Sequence, residues 1–572
     1  MTGTALPTRA PRAGMKWWGW GRDGVAFTHE DKPELGPFFL RHLQLDLDRR
    51  TAAPVGFQSL DIPEPALPDA LRAALEHAVG AEHVSTDAMD RVVHARGKSL
   101  RDIVRHRRGE LGRLPDAIVR PAGEEEAAAV LRAALEADAV VIPFGGGTNI
   151  SGSLEPPAAE SRPIISVDVG RLDQVVDIDA PSRLARVQAG ILGPDLEAQL
   201  NARGWTLGHF PDSFTHSTLG GWIATRSSGM QSDKYGDVAE ITRAVRVATP
   251  AGILATRAVP ATSTGPSVRE MVLGSEGRLG IITEATVHVH RLPEERVILG
   301  YLLPDWERGL EAMHAIAASE ATPSVTRVSD APETQFSFAT RKAGSPVDRL
   351  KSRALQAVLA RRGIDPGRMC LAFVGYEGSA GHVKAQRKLV GAIVKAHGGL
   401  CIGSGPGALY DQKKFDTPYI RDYLLDRGAL GDVSETAAPW SALRGLYDEV
   451  TGAAARAIAE QGVGGYVMCH LSHSYHAGAC LYFTFAINPS GARDALVEYD
   501  AVKGAIQQAF VDSGGTLSHH HAVGTEHARW LEQDISPAGV ALQRALFDGV
   551  DPGANLNPGK ITGPARERQP DA

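Results

Sequence analysis

Three glycine-rich segments carry the residues best suited to hold a ligand. In Pro143-Phe144-Gly145-Gly146-Gly147-Thr148-Asn149, three successive residues lack Cβ, so backbone N–H groups can close on a phosphate while Thr148 and Asn149 add side-chain donors. Alone, the segment also fits a flexible turn. It fails the G-x-G-x-x-G dinucleotide spacing and lacks the helix that should follow at once. The second segment runs from Pro211 to Ser228, with Asp212, Ser213, Ser217, Thr218, Gly221, Thr225, Arg226, Ser227 and Ser228 around the Gly220-Gly221 pair. The third is Gly274-Ser275-Glu276-Gly277-Arg278-Leu279-Gly280-Ile281-Ile282-Thr283-Glu284. Small and hydroxyl residues in such loops suit close approach to a flat or charged ligand. A different chemistry is on offer at His519-His520-His521. An extended segment puts His519 and His521 on one side and His520 on the other. That segment reads as a solvated loop, a metal cluster or a catalytic element, and no further metal ligands stand nearby in sequence. Tyr475, among small residues beside an apolar run, reads on its own as a packed tyrosine with a satisfied hydroxyl.

These residues need a frame. Glu124–Ala137 is acidic at its start and rich in Ala and Leu, which predicts a helix. Strands are predicted at 140–143, 164–169, 184–188 and 280–288, with a hairpin over 244–256 and a helix at 194–203. The second half restarts with a strand at 297–302 and a helix at 306–318. Strand 371–376, helices 382–396 and 441–461, strands 465–470 and 479–487, and helix 494–513 follow. The last fifty or so residues read as short elements and loops. The expected organisation is an N-terminal extension (1–84), a ligand domain (85–295), a second α+β domain (296–515), a C-terminal segment carrying the histidines (516–562) and a flexible tail (563–572).

The 572 residues carry 60 Lys+Arg against 67 Asp+Glu, a net charge of −7, which disfavours a nucleic-acid partner. Four cysteines without C-x-x-C spacing disfavour a zinc ribbon, and their sparsity fits a reducing compartment. No apolar run is long enough to span a bilayer and no secretory leader is visible. The expectation is a cytoplasmic protein with peripheral contact at the inner membrane face. The 62 glycines cluster between periodic segments, as specific turns do and disordered tracts do not.

The three loops together resemble the flavin domain of the vanillyl-alcohol-oxidase family, which binds FAD with a Gly-Gly-Gly-Thr loop, a Ser/Thr-Gly-Gly segment and a Gly-Ser-Glu-Gly-x-Leu-Gly-Ile-Ile-Thr-Glu signature. The resemblance implies an α+β fold: a two-subdomain FAD-binding domain of the PCMH type, then an α+β cap with an antiparallel sheet over the flavin. It also implies non-covalent FAD on the residues of the three segments. Within that family, residues from about Lys16 to Asn557 are similar to the alkyldihydroxyacetonephosphate synthases. The similarity rests on Lys16-Trp17-Trp18-Gly19-Trp20-Gly21, Gly208-His209-Phe210-Pro211-Asp212-Ser213, Tyr419-Ile420-Arg421-Asp422, Glu435-Thr436-Ala437-Ala438-Pro439-Trp440, Tyr475-His476-Ala477-Gly478-Ala479-Cys480 and the triple histidine.

By that resemblance Tyr475 removes a proton from substrate C1. His519, His520, His521, Arg327 and His209 join it in catalysis, Arg421 holds the substrate, and no metal takes part. The implied reaction exchanges the acyl group of acyl-dihydroxyacetone phosphate for the alkyl group of a long-chain alcohol, through a flavin N5 adduct and without net redox. A homodimer is implied too. Three features depart from the pattern. Phe210 replaces an acidic residue, and no peroxisomal tag ends the chain. The ending Leu556-Asn557-Pro558-Gly559-Lys560 is common in FAD-dependent 2-hydroxyacid dehydrogenases of the lactate or glycolate type, which are the alternative reading.

Overall fold

The computed structural model describes residues 14–343, 346–413, 415–416 and 418–563. The tails read from the sequence at 1–14 and 563–572 lie, except for Gly14 and Gly563, outside the described residues. The first sheet contains β1 (Val84–Ser85), β2 (Ala117–Val119), β3 (Val140–Phe144) and β4 (Ile164–Asp168), in the order β1-β2-β4-β3. β2 and β3 flank β4 in parallel, and β1 adds antiparallel. Parallel strands are covered on both faces, so β4 is buried along its whole length. The helix Glu124–Glu136 has three glutamates in its first turn, where the helix dipole favours them. It buries Ala127, Val130, Leu131 and Ala134 on this sheet.

The second sheet is antiparallel. It is built from β5 (Val175–Asp179), β6 (Leu184–Gln188), β8 (Thr242–Thr249), β9 (Gly252–Ala255) and β10 (Ile281–His288), in the order β5-β6-β10-β8-β9. β7 (Trp205–Thr206) pairs with β11 (His290–Arg291) beside it. The first glycine segment leaves the end of β3, the second opens the helix Leu219–Thr225, and the third leads into β10. Thr218 caps that helix by accepting from the Gly221 N–H.

The third sheet has seven strands: β12 (Glu295–Leu303), β13 (Val325–Ser329), β14 (Cys370–Gly378), β15 (Leu400–Gly403), β16 (Leu430–Pro439), β17 (Gly464–Ser474) and β18 (Gly478–Asn488). Their order is β15-β12-β14-β13-β17-β18-β16, and every pairing is antiparallel. Strand alternation divides its faces. On β17 and β18, Cys469, Leu471, Leu481 and Phe483 enter the main core with residues of the helices Trp306–Ala317, Ala380–Ala396, Trp440–Gln461 and Ala495–Asp512. Met468, His470, Ser472, Tyr482 and Thr484 line the cavity on the other face.

One element departs from the sequence reading. The final residues hold a long helix, Leu531–Val550, where short elements were expected. Ser536 breaks it with φ 71, and Pro537 restarts it, as proline does best in a first helical turn. Its Leu531, Val540 and Phe547 join the core of the second sheet. Near the chain start, the helix Leu35–Leu43 packs Phe38, Phe39 and Leu43 against the third-sheet domain. Among the described residues no helix is long and apolar enough to cross a membrane.

Candidate functional site

A cavity of about 1640 Å³ runs between the two halves. All seven residues Pro143–Asn149 line it, as do Asp212, Ser213, Ser217, Thr218, Gly221, Thr225, Ser227 and Ser228. Glu276, Gly277, Gly280 and Ile282 come from the third segment, and Arg327, Arg421, His520 and His521 complete its charged and imidazole wall. Six residues singled out in the sequence are not part of that wall. Arg226 turns outward in a left-handed conformation to pair with Glu270 at 3.2 Å. Leu279 and Ile281 are buried in cores of the two flanking sheets. His209, Tyr475 and His519 stand behind or beside residues that do line it.

The glycines of the first loop have a reason beyond ligand approach. A Cβ on Gly145 would overlap the Thr218 hydroxyl, and one on Gly146 would overlap the His216 carbonyl oxygen and lie 2.8 Å from its carbon. The first two glycine segments therefore meet back to back, and only Gly permits it. Among the described residues, the N–H groups of Gly145 to Asn149 donate to no protein acceptor. They are available to an anion at the cavity wall. That donor set, with the hydroxyls of Ser213, Ser217, Thr218, Ser227 and Ser228, fits a pyrophosphate-bearing cofactor.

Two buried carboxylates, one on the third sheet and one in the third glycine segment, grip the histidine loop. Glu435 on β16 accepts from the Ser518 hydroxyl (2.8 Å) and from the backbone N–H groups of His519 (2.6 Å), His520 (3.1 Å) and His521 (3.0 Å). Burial penalises its charge, but His520, His521 and His519 outweigh that and hold its carboxyl well below the usual range. Glu276, at φ 49, accepts from Val523 (2.9 Å), Gly524 (3.0 Å) and the Ser153 hydroxyl. Three successive N–H groups converging on one carboxylate curl the segment. The extended geometry expected of it is replaced, and the residues that share a side are His520 and His521, facing the cavity. Burial pushes these imidazoles down to about 3 and about 4, so both are neutral at pH 7.

His519 turns the other way. Its Nε2 lies 2.6 Å from the Tyr475 hydroxyl, which also donates to Asp237 Oδ2 at 2.7 Å. His519 Nδ1 is 2.8 Å from His520 Nδ1, and its ring stacks on His473, a cavity residue. Tyr475 starts the turn joining β17 to β18, closed by Tyr475 N–H to Gly478 O at 2.8 Å and held by the Trp440 indole on the Tyr475 carbonyl at 2.9 Å. A Cβ on Gly478 would overlap the Ala438 carbonyl, which explains the glycine. Burial, then the Asp237 charge, raises the Tyr475 phenol far above its ordinary value, so it is a donor at rest. Burial opposes the Asp237 charge, but His473 and His519 hold its carboxyl down to about 2.

Arg327 on β13 donates to Glu333 Oε1 at 2.6 Å and lies 3.2 Å from His470 Nδ1. The Arg421 Nε is buried without a partner among the described residues. His209 is buried, its Nε2 3.2 Å from the Ser227 hydroxyl and its ring 4.8 Å from Trp222. Burial pushes it down to about 4. Asp237, Glu435, His473 and the Glu333–His470 pair were not singled out as site residues. The signal available was an acidic residue within a strand expected to be buried, as at Glu435. Ligand atoms of Glu435, Cys480, His519 and His520 lie within 4.8 Å of one another. Both Glu435 oxygens already accept hydrogen bonds and burial raises the Cys480 thiol, which suits a satisfied loop anchor better than a metal shell.

The apolar end of the cavity is lined by Phe38, Phe39, Leu43, Phe336, Tyr466 and Phe485. The whole exceeds the ~300–1,000 Å³ usual for one small ligand, leaving room for a cofactor and a long chain.

Residues 115–256 match the family described as FAD binding domain, and residues 292–561 match FAD linked oxidases, C-terminal domain. An alkyldihydroxyacetonephosphate synthase from Dictyostelium discoideum is 36% identical over 96% of this chain and 93% of its own. One from Trypanosoma brucei brucei is 33% identical over 96% of this chain and 92% of its own. A solved alkyldihydroxyacetonephosphate synthase structure superposes with a TM-score of 0.83 at 32% identity, over 97% of this chain and 99% of that one. With an FAD-binding region, an FAD-oxidase region and these relatives along nearly its whole length, the chain belongs to the alkyldihydroxyacetonephosphate synthase family of FAD-linked enzymes.

Proposed function

We propose that the protein makes ether lipids, replacing the acyl group of acyl-dihydroxyacetone phosphate with the alkyl group of a long-chain alcohol and releasing a fatty acid. The observation that carries this reading is a single cavity joining phosphate-binding loops, two arginines, a tyrosine–histidine group at its edge and a long apolar end. Bound FAD supplies the acceptor for the substrate's C1 carbon during the exchange, with no net oxidation or reduction. Gly145–Asn149, Ser217, Thr218, Ser227 and Ser228 would hold it.

Arg327 and Arg421 bind the substrate phosphate, where guanidinium geometry suits an anion. Glu333 and His470 fix the angle of Arg327. Tyr475 takes the C1 proton at its oxygen and passes its own proton to Asp237, with His519 hydrogen-bonded to the same oxygen. That shared hydrogen bonding offsets the cost of using so weakly acidic a phenol as a base. His520 links this group to the cavity wall, and His209 supports Ser227 from behind.

The substrate chains lie against Phe38, Phe39, Phe336 and Tyr466. Exposed Leu40 sits on the helix Leu35–Leu43 that supplies this end, which fits peripheral contact with a cytoplasmic membrane face. Vesicle flotation checks that contact, and light scattering checks the proposed homodimer.

The direct test mixes FAD-loaded protein with acyl-dihydroxyacetone phosphate and labelled fatty alcohol. Labelled ether product is expected, and Tyr475→Phe should lower its formation by at least about a hundredfold. No ether product, together with flavin bleaching by a 2-hydroxyacid, refutes the reading in favour of a dehydrogenase.

A further inference from the structure

The segment Lys16–Gly21 lies far in sequence from Arg421 and from the three glycine segments. It closes on itself through Lys16 N–H to Gly21 O at 2.9 Å and a Met15–Arg22 bridge. It then lies flat on the helix Tyr419–Leu425, the helix that carries Arg421. The Trp20 N–H donates to both oxygens of Asp422, at 2.9 and 3.1 Å, and Lys16 Nζ reaches Asp422 Oδ2 at 3.3 Å. Asp422 is buried, at 6% exposure, and follows Arg421 directly.

Both glycines of the segment are forced by this contact. A Cβ on Gly19 would overlap the Asp422 carboxylate, and one on Gly21, where φ is +67, would overlap the Tyr419 hydroxyl. Lys16 Nζ also sits 5.2 Å from the centre of the Tyr419 ring. A seven-residue helix is too short to hold itself together, so its place is set by what anchors it.

The same segment is tied to the cofactor loop. Lys98 Nζ donates to Lys16 O at 2.8 Å, while the Lys98 N–H donates to Asn149 O at 2.6 Å. Trp20 faces the cavity, as Arg421 does. One continuous path therefore runs from Asn149 through Lys98 and Lys16 to Asp422, and so to Arg421.

We propose that Lys16–Gly21 is a strap that positions Arg421 for the substrate phosphate, with Asp422 as its anchor and Lys98 fixing it to the cofactor loop. This rests on the reading of Arg421 as a phosphate ligand. Asp422, Lys16 and Lys98 are positioning residues, and none of them needs to touch substrate.

The test uses full-length, FAD-loaded protein and measures KM separately for acyl-dihydroxyacetone phosphate and for fatty alcohol, in Asp422→Asn, Arg421→Ala and the double variant. Gly19→Ala repeats the experiment with no charge removed, in case Asp422→Asn leaves Lys16 unpaired and the segment unfolds. Asp422→Asn and Gly19→Ala should each raise KM for the phosphate substrate about tenfold, leaving the alcohol KM and flavin content within about twofold. In the Arg421→Ala background Asp422→Asn should add less than about twofold. If Arg421→Ala raises the phosphate-substrate KM but Asp422→Asn multiplies it again by its full factor, or moves both KM values equally, the strap inference falls alone. If Arg421→Ala leaves that KM unchanged, the phosphate role of Arg421 falls first and the strap inference with it.

Discussion

Replacing Glu435 by glutamine changes one atom and no volume, yet the geometry predicts a large loss. Oε1 accepts three hydrogen bonds, from Ser518 Oγ and the N–H groups of His520 and His521, while Oε2 accepts from His519 N–H at 2.6 Å. The best orientation of a glutamine keeps its oxygen on the three donors. Its NH2 group then faces the His519 N–H, leaving two buried donors unpaired at ~1–3 kcal/mol each. The three surviving bonds pass from charge-assisted to neutral, for roughly another 1–2 kcal/mol in all. The sum is about 3–8 kcal/mol. The assay is urea unfolding of FAD-loaded wild type and Glu435→Gln, compared at a common m value, with ether-product turnover in parallel. Turnover should fall more than about tenfold because His519 loses its register with Tyr475. A stability change under about 1 kcal/mol with full turnover would refute the claim that this carboxylate sets the loop.

Other consequences are as direct. Gly146→Ala drives a methyl into the His216 carbonyl, so the two cofactor segments must separate; FAD affinity should drop by about tenfold or more, read by flavin titration of the apoprotein. His209 binds a proton only near about 4 when folded and near 6.5 when unfolded. Unfolding between those values therefore takes up a proton, and stability falls as pH drops from 6.5 towards 4. Relative to His209→Phe, wild type should lose about 2–3 kcal/mol between pH 7 and pH 4.5 in paired denaturation curves; parallel curves would contradict the buried neutral imidazole. Arg327→Lys keeps the charge but not the planar fork that Glu333 and His470 hold, so KM for the phosphate substrate should rise several-fold with the alcohol KM unchanged.

Much of the frame was legible because it is local. Glu124–Glu136 starts with its acids and fills with Ala and Leu, and the strands at 140, 164, 184 and 281 announce themselves by apolar or alternating runs close to Gly or Pro. The three glycine segments were legible as specific turns, and the structure brings all three to one cavity wall. What stayed hidden is long-range. Nothing near His519 in sequence says that Glu435 gathers its N–H groups, so an extended segment was expected where a curled one forms. The helix Leu531–Val550 was masked by Pro537, which reads as a breaker until Ser536 is seen to take the break. Arg226, Leu279 and Ile281 share a motif with cavity-lining neighbours, but local backbone geometry sends their side chains elsewhere, Arg226 through a left-handed helix cap and Leu279 and Ile281 into the cores.

The run Asn555-Leu556-Asn557 lies along the free edge of β3. Val141 N–H donates to Asn555 O at 2.7 Å, Asn557 N–H donates to Val141 O at 2.9 Å, and Leu556 is fully buried. The Asn557 amide then holds the carbonyls of Ser153 and Glu276, at 2.9 and 2.7 Å. During synthesis on the ribosome, the strand that launches the phosphate loop emerges more than four hundred residues before the segment that seals it. A nascent chain halted before residue 555 leaves β3 open to pairing with another chain and Glu276 without its brace. A flavin signal should therefore depend on the Asn555–Asn557 run being in place on β3.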